Sequence, residues 1–303
     1  MPQRQCCIRP QRNTVNPHPV DQDILKARSL PAVRAIVIPP CPDALVRLQH
    51  IVAGGAEVDA HALDQLVASD VALAAALLRT ANSALYRLPQ PVQTVGMALT
   101  VMGLRPAVEL LSAFITRQAL QVRSPLLEHF WESSQRRAIA CEHVGGQLYG
   151  LPPGLCYSFG LFCHVGIPVL MKAVRGYGST VTEALARKDR SFTATENANH
   201  RTDHAVVGAI VARTWHLPGD VAQAIWLHHD FACLHDERFA PVVRRLVALA
   251  ALADYLVHQH EGVPPAREWR EHGQACLDFL QVGEDELDYW IDQLHPALAA
   301  VGG

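Results

Sequence analysis

Apolar residues in this chain recur every three to four positions along nearly its whole length, and no segment alternates with period two long enough to make a strand. Leu45, Leu48, Ile51 and Val52 form one such stripe, closed by Gly54-Gly55. Asp59 can cap a helix carrying Leu63, Leu66 and Val67, and Asp70 one carrying Leu73, Leu77 and Leu78. An irregular Leu88-Pro89-Gln90-Pro91 link leads to Thr94, which can cap a short helix through Met97, Leu99 and Val101 that Gly103 ends. Pro106 then falls in the first turn of a helix with Val108, Leu111, Phe114 and Ile115 on one face. A second array opens with Leu127, Phe130 and Trp131 on a long helix stopping near Gly150. Residues 154–175 are apolar and expected to be buried, Gly176 and Gly178 mark a turn, and helices are expected over 180–188, 202–215, 218–229, 241–259 and 284–297. The period predicts an all-α fold of antiparallel helices in two packed halves, with no fixed repeat.

Ordering follows from composition. Residues 1–36 read as a flexible N-terminal tail with room for one short helix between Asp21 and Ala35, because Pro2, Pro10, Pro17 and Pro19 stand among polar residues. The expected units are then a helical subdomain over 37–123, a second over 124–260 and a helical extension over 261–303. Half of the 303 residues are apolar and 18% are charged, which excludes a disordered polyelectrolyte. A net charge of −3 gives no general attraction to nucleic acid or anionic lipid, so neither is an expected partner. Eight cysteines without a CxxC pair, in a chain that can build a core, read as reduced thiols. The first residues lack the apolar run of a signal peptide. The best span candidate, Val242–Val257, is broken by Arg244, Arg245 and Asp254, so a cytoplasmic location is expected.

The chain has sixteen histidines. On a helix from Pro218, His228 continues the face of Val221, Ala224 and Ile225, with His229 about 100° away. His204 shares a face with Val207, Gly208 and Val211, and Asp254 extends the stripe of Leu246, Val247, Ala250 and Ala253. These are metal-capable side chains on inward faces. An inward histidine is also met as a hydrogen-bonded core residue, and a buried aspartate needs a partner that a histidine would supply. The pattern alone therefore assigns no metal. Asp43, Asp59 and Asp70 read as caps, Trp131 and Trp215 as core, Arg136-Arg137 as a solvated helix face, and Gly145-Gly146 as a close helix contact. Phosphate-cradling glycine loops and nucleophile elbows are not found.

The runs PPCPDALVRL, SDVALAAALLRTANSALYRLPQPVQTVGMAL and VMGLRPAVELL, over residues 39–120, resemble the first half of an HDOD domain. FWESS, GLFCHVGIPVLM, DHAVVGAIVARTWHLP, AIWLHHD and ALADYLV, over 130–257, resemble its HD-like half. HD proteins bind metal through an early histidine, a His-Asp pair, further histidines and a late aspartate. By that resemblance Ser133 stands at the early histidine. Cys163 and His164 stand at the His-Asp pair, and His204, His228 and Asp254 at the later positions, with His229 completing the HH pair. Loss of the bridging carboxylate removes what would hold two metals and position a hydroxide. The resemblance therefore implies a degenerate site in a non-catalytic bacterial signal-transduction module. Its expected partners are signalling proteins or a small regulatory ligand, and no cofactor is expected. The alternative is a metal-dependent phosphohydrolase with a rearranged site drawn from Cys163, His164, His204, His228 and Asp254. His204, His228 and Asp254 are expected to converge opposite Cys163 and His164, with Asp254 buried and paired to a histidine.

Overall fold

A computed structural model describes residues 19–53, 58–83, 86, 88, 90–122 and 124–301. Its regular elements are all helical, with no strand among the described residues. Two helices, α1 (Pro19–Ser29) and α2 (Pro31–Arg34), precede a bundle of α3 (Asp43–Ala53), α4 (Ala60–Ala68), α5 (Val71–Ala81), α6 (Val95–Met102) and α7 (Leu104–Leu120). The caps are local and act as expected. Asp59 accepts from the His61 and Ala62 amides, Asp70 from Ala72 and Leu73, and Thr94 from Met97. Gly103, at φ +84°, makes the corner between α6 and α7 that a side chain would strain. Asp43 is the first residue of α3 and not its cap. Leu45, Leu48, Leu63, Leu66, Leu73, Leu77 and Leu111 fill the bundle's core, each burial stabilising by about 1.5–3 kcal/mol.

The second half comprises α8 (Glu128–Gly145), α9 (Pro153–Phe162), α10 (Gly166–Ala173), α11 (Tyr177–Ala186), α12 (Phe192–His200), α13 (His204–Thr214), α14 (Gly219–Leu227) and α15 (Pro241–Glu261). Then come α16 (Arg267–Leu280) and α17 (Glu284–Ala299). The α8 helix ends about a turn before Gly150, and α12 and α16 are additions to the expected set. The central pairs are α8 with α9 and α15, and α13 with α10 and α14. Small residues permit these approaches. A Cβ at Gly160 would lie 2.8 Å from the Ala138 Cα, and one at Gly145 would lie 2.4 Å from the Cys156 Sγ. The two halves are tied by Trp215, fully buried, whose Nε1 donates to the Pro39 carbonyl at 2.9 Å.

Three expectations change. Residues 19–36 are not a free tail, because Val20, Ile24, Val33 and Ile36 are buried and α1 packs on α13 and α14; residues 1–18 lie outside the described residues. The apolar run long enough to cross a membrane by length is Pro153–Ala173, at mean hydropathy 1.6, and not 242–257. It is divided into α9 and α10, and 67% of its most apolar 18-residue window is buried in the fold. Arg136 and Arg137 do not share a solvated face. Arg137 is buried, and Arg136 donates to the Leu298 and Val301 carbonyls and to Glu261. The described cysteines are all unpaired.

Candidate functional site

The site is assembled where three helix ends meet. His164 lies in the turn between α9 and α10. The next turn of that segment starts at Gly166, where a Cβ would stand 2.1 Å from the His204 carbonyl oxygen. Only a glycine there lets α10 meet the start of α13, and the meeting brings the His164 and His204 rings to 5.2 Å between centroids. His204 is the first residue of α13, behind the Asp203 cap, which accepts from the Val206 amide at 2.9 Å. His228 ends α14 as its C-cap, and His229 follows beyond the helix. One ring nitrogen from each of His164, His204, His228 and His229 lies within 4.8 Å of the others. The His204 Nε2 stands 2.9 Å from the His229 Nε2 and 3.3 Å from the His228 Nε2.

The opposite nitrogen of each of these three rings is held from outside. His204 Nδ1 donates to the Glu196 Oε2 at 2.7 Å, His228 Nδ1 to the Ile225 carbonyl at 2.6 Å, and His229 Nδ1 to the Glu268 Oε1 at 2.8 Å. The second oxygen of Glu196, itself fully buried, accepts from the Tyr177 hydroxyl. A carbonyl or an ionised carboxylate can only accept, so each Nδ1 carries the proton. Each Nε2 of a neutral ring then presents a lone pair. Lone pairs at these separations repel unless a proton or a cation lies among them. Outward Nδ1–H bonds to carboxylate and carbonyl with inward Nε2 lone pairs are the support that metal-binding histidines ordinarily have.

Electrostatics favour neutral rings at His164 and His228 and the charged form at His229. Burial, then the Arg137 charge and the neighbouring rings, hold His164 well below the usual imidazole range. Burial and the adjacent imidazoles do the same to His228. Burial also pulls on His229, but its Glu268 hydrogen bond and charge outweigh that and raise it. Glu196 and Glu268 resist burial and sit below the carboxylate range because of His204 and His229 respectively.

A different arrangement occupies the rest of the expected site. Asp254 is partly exposed and pairs with no histidine. Its Oδ1 accepts from the Arg137 Nε at 2.5 Å. Arg137 is one turn beyond Ser133 on α8, and its Nη1 is buried without a hydrogen-bond partner among the described residues. Burial disfavours its charge, but the Asp254 charge and hydrogen bond hold it above the ordinary arginine value. Cys163 is fully buried, and burial pushes its thiol far up, so a thiolate ligand is disfavoured. Of the residues expected from sequence, His164, His204, His228 and His229 therefore converge, and Ser133, Cys163 and Asp254 stand apart. The weak candidates Cys163 and Asp254 are replaced in the cluster by His229. Two metals do not fit, because a guanidinium already neutralises Asp254. One ion fits the four imidazoles. Glu196, Glu268, Tyr177 and Arg137 are the functional side chains that sequence reasoning passes over. Only Arg137 left a signal, its i+4 spacing from Ser133.

The HDOD domain model matches residues 38–231. Among solved structures, an HDOD domain protein of Geobacter sulfurreducens superposes with a TM-score of 0.67 at 20% identity, covering 92% of this chain and 98% of that one. A protein of Marinobacter aquaeolei, named as a candidate signal transduction protein, gives 0.73 at 19% identity over 95% of this chain and 65% of that one. A protein of Shewanella amazonensis, named as a candidate phosphohydrolase, gives 0.66 at 19% identity over 92% and 96%. An uncharacterised Treponema pallidum protein is 22% identical over 253 residues, 82% of this chain. The chain spans 47% of the length of that relative.

Proposed function

The chain belongs to the HDOD domain family, and on that premise we propose that it is a regulatory module of bacterial cytoplasmic signalling that does not hydrolyse phosphoesters. The observation that carries this reading is the Arg137–Asp254 pair. A hydrolytic HD centre needs its late carboxylate free for metal, and here that carboxylate is bound at 2.5 Å by a cation that cannot lose its proton. Ser133 at the early histidine and His164 at the bridging aspartate remove two further ligands of such a centre. What the fold keeps is a joint between the ends of α9, α13 and α14, suited to passing on the state of the site to signalling partners or a small ligand.

Four imidazoles with no oxygen donor resemble a closed, structural coordination set more than a catalytic one with an open position. His164, His204, His228 and His229 would hold one ion of the zinc, nickel, copper or iron type, oriented by Glu196, the Ile225 carbonyl and Glu268. Bound there, the ion supplies positive charge among the inward lone pairs and crosslinks the three helix ends. The second reading, a phosphohydrolase built on this single ion, draws on the same convergence. Hydrolysis of bis(4-nitrophenyl) phosphate by protein loaded with manganese, iron(II) or zinc separates the two. The expected result is a rate equal to the protein-free control. Turnover that His204→Ala abolishes would overturn the regulatory reading.

A further inference from the structure

A second cavity, lined by none of the four clustered histidines, lies between α3 and α7 of the first half and α8 and α9 of the second. It encloses about 370 Å³, enough for a small organic molecule. Its walls are largely apolar, with Leu45, Leu48, Val108, Leu155, Leu161 and Phe162 among them. Its polar side is unusual. Glu109 of α7 and Glu142 of α8 meet there, and their carboxyls are within hydrogen-bonding reach, an arrangement that needs a proton on one of them. Arg105 reaches in from the rim, 56% exposed, and its Nη1 lies 2.5 Å from the Glu142 Oε1. Two carboxyls and one guanidinium leave the cluster short of one positive charge. Gln49 also lines the cavity, and its Nε2 is buried with no partner among the described residues.

We propose that this interdomain cavity binds a small apolar molecule bearing one primary ammonium group, which the Glu109–Glu142 pair receives. The apolar wall takes the body of the ligand. The ammonium takes the place of the shared proton, so the cluster stays neutral with the ligand bound. An anionic ligand would meet two carboxyls, and a purely apolar one would leave the shared proton in place and gain no ionic contact with the pair. Because the walls come from both halves, occupancy sets how the first bundle sits on the second.

The proton balance makes the site testable. Burial and Glu142 raise Glu109 to about 9, so at neutral pH the empty site holds the proton that the ammonium must expel. The other titratable groups facing it are few. Glu142 and Arg105 form its ion pair. Tyr157 of α9 and Cys156 behind Glu142 are both raised by burial and stay protonated, as does Tyr86, which feels Glu109. His216 lies on the rim in a left-handed conformation, φ +56°. The residues of α3 that line the cavity are not titratable.

Calorimetric titration of the whole chain with hexylamine, hexanol and hexanoate is the experiment. Hexylamine alone should bind, with an association constant rising about tenfold per pH unit between pH 6 and 8, as release of one proton requires. Glu109→Gln should abolish that slope and weaken the amine at least tenfold. His216→Asn, which tolerates the left-handed backbone, should keep it. Gly154→Leu offers a plug that does not depend on the carboxyl pair, since a Cβ at Gly154 meets nothing within 4 Å, and it should block binding. Hexanoate binding as tightly as hexylamine, a flat pH profile, or amine binding unchanged in Glu109→Gln or Gly154→Leu would each overturn the proposal. Loss of the slope in His216→Asn would do so too. None of these readouts involves metal content or phosphoester turnover, so the proposal can fail or stand apart from the regulatory reading.

Discussion

Replacing Asp254 by alanine tests the claim that a guanidinium has taken over the carboxylate of the site. Arg137 keeps only 9% of its side-chain surface exposed, and Asp254 keeps 28%. Removing the carboxylate strands a charge that cannot neutralise itself by losing a proton. Breaking a buried pair from one side costs about 3–5 kcal/mol. Water reaching the partly exposed Asp254 position relieves some of this, so about 3 kcal/mol is expected, or a Tm lower by roughly 6–12 °C. The opposite change, Arg137→Met, leaves a carboxylate that solvent can reach, and should cost less. The double variant Arg137→Met/Asp254→Ala should recover most of the loss, because the desolvation cost of both charges goes with them. Urea unfolding of the four proteins, with slopes compared, gives the cycle. A loss under about 1 kcal/mol for Asp254→Ala, or a double variant no better than that single one, would refute the reasoning. So would loss of bound metal in Asp254→Ala, because that residue would then be a ligand.

Three further outcomes follow from the same geometry. Titration of metal-stripped protein with zinc, read by calorimetry and elemental analysis, should saturate at one equivalent; His204→Ala should lose it, and Glu196→Gln or Glu268→Gln should weaken it about 10–100-fold. Without ligand, Glu109 binds a proton in the folded state over the window from its ordinary 4.5 to about 9, so the group's contribution to stability is full below pH 4.5 and declines as pH rises through that window. Unfolding free energies of the parent and Glu109→Gln measured at pH 5, 7 and 9 should differ in slope with that sign, and parallel curves would contradict it. Gly166→Ala places a methyl 2.1 Å from the His204 carbonyl oxygen; with backbone on the other side the clash cannot relax cheaply, and a loss of about 1–3 kcal/mol or more is expected in urea unfolding.

What could be read from the sequence was local. Asp59, Asp70 and Thr94 cap the helices they precede because a cap needs only the amides two and three residues on. Gly103 ends α6 for a reason written in its own backbone. The α12 helix left little trace, since FTATENANH has almost no apolar stripe and relies on Thr195 and Glu196 for its inward face. The α16 helix did leave one. Trp269, Gly273, Cys276, Leu277 and Leu280 recur at helical spacing, and sequence reasoning passed over them. Those two helices carry Glu196 and Glu268, so missing them meant missing what orients the histidines. Glu196 meets His204 across a turn and Glu268 meets His229 from 39 residues away, and no periodicity reports a bond between elements. The helical wheel set His229 about 100° from the inward face because it was extended to a residue beyond the helix, where α14 has already ended at Leu227; the resemblance alone kept His229 in the site.

Arg137 shows where residue-by-residue transfer from a family stops. Successive helix residues point about 100° apart, and here that is enough to send Arg136 to the C-terminal carbonyls and Arg137 inward to Asp254. The transfer also carried over ligand positions without their charge. By the resemblance Asp254 stands at a position where a metal would neutralise it, and a part-buried carboxylate without a metal needs another cation. The histidine side of the site takes its opposite charges from Glu196 and Glu268, whereas the carboxylate side takes its own from Arg137. Restoring histidine at 133 alone should therefore fail to recruit a second metal, since the guanidinium remains in place. Ser133→His combined with Arg137→Ala is the variant that should raise zinc binding above one equivalent. A second equivalent in Ser133→His by itself would show that Arg137 is not what excludes it.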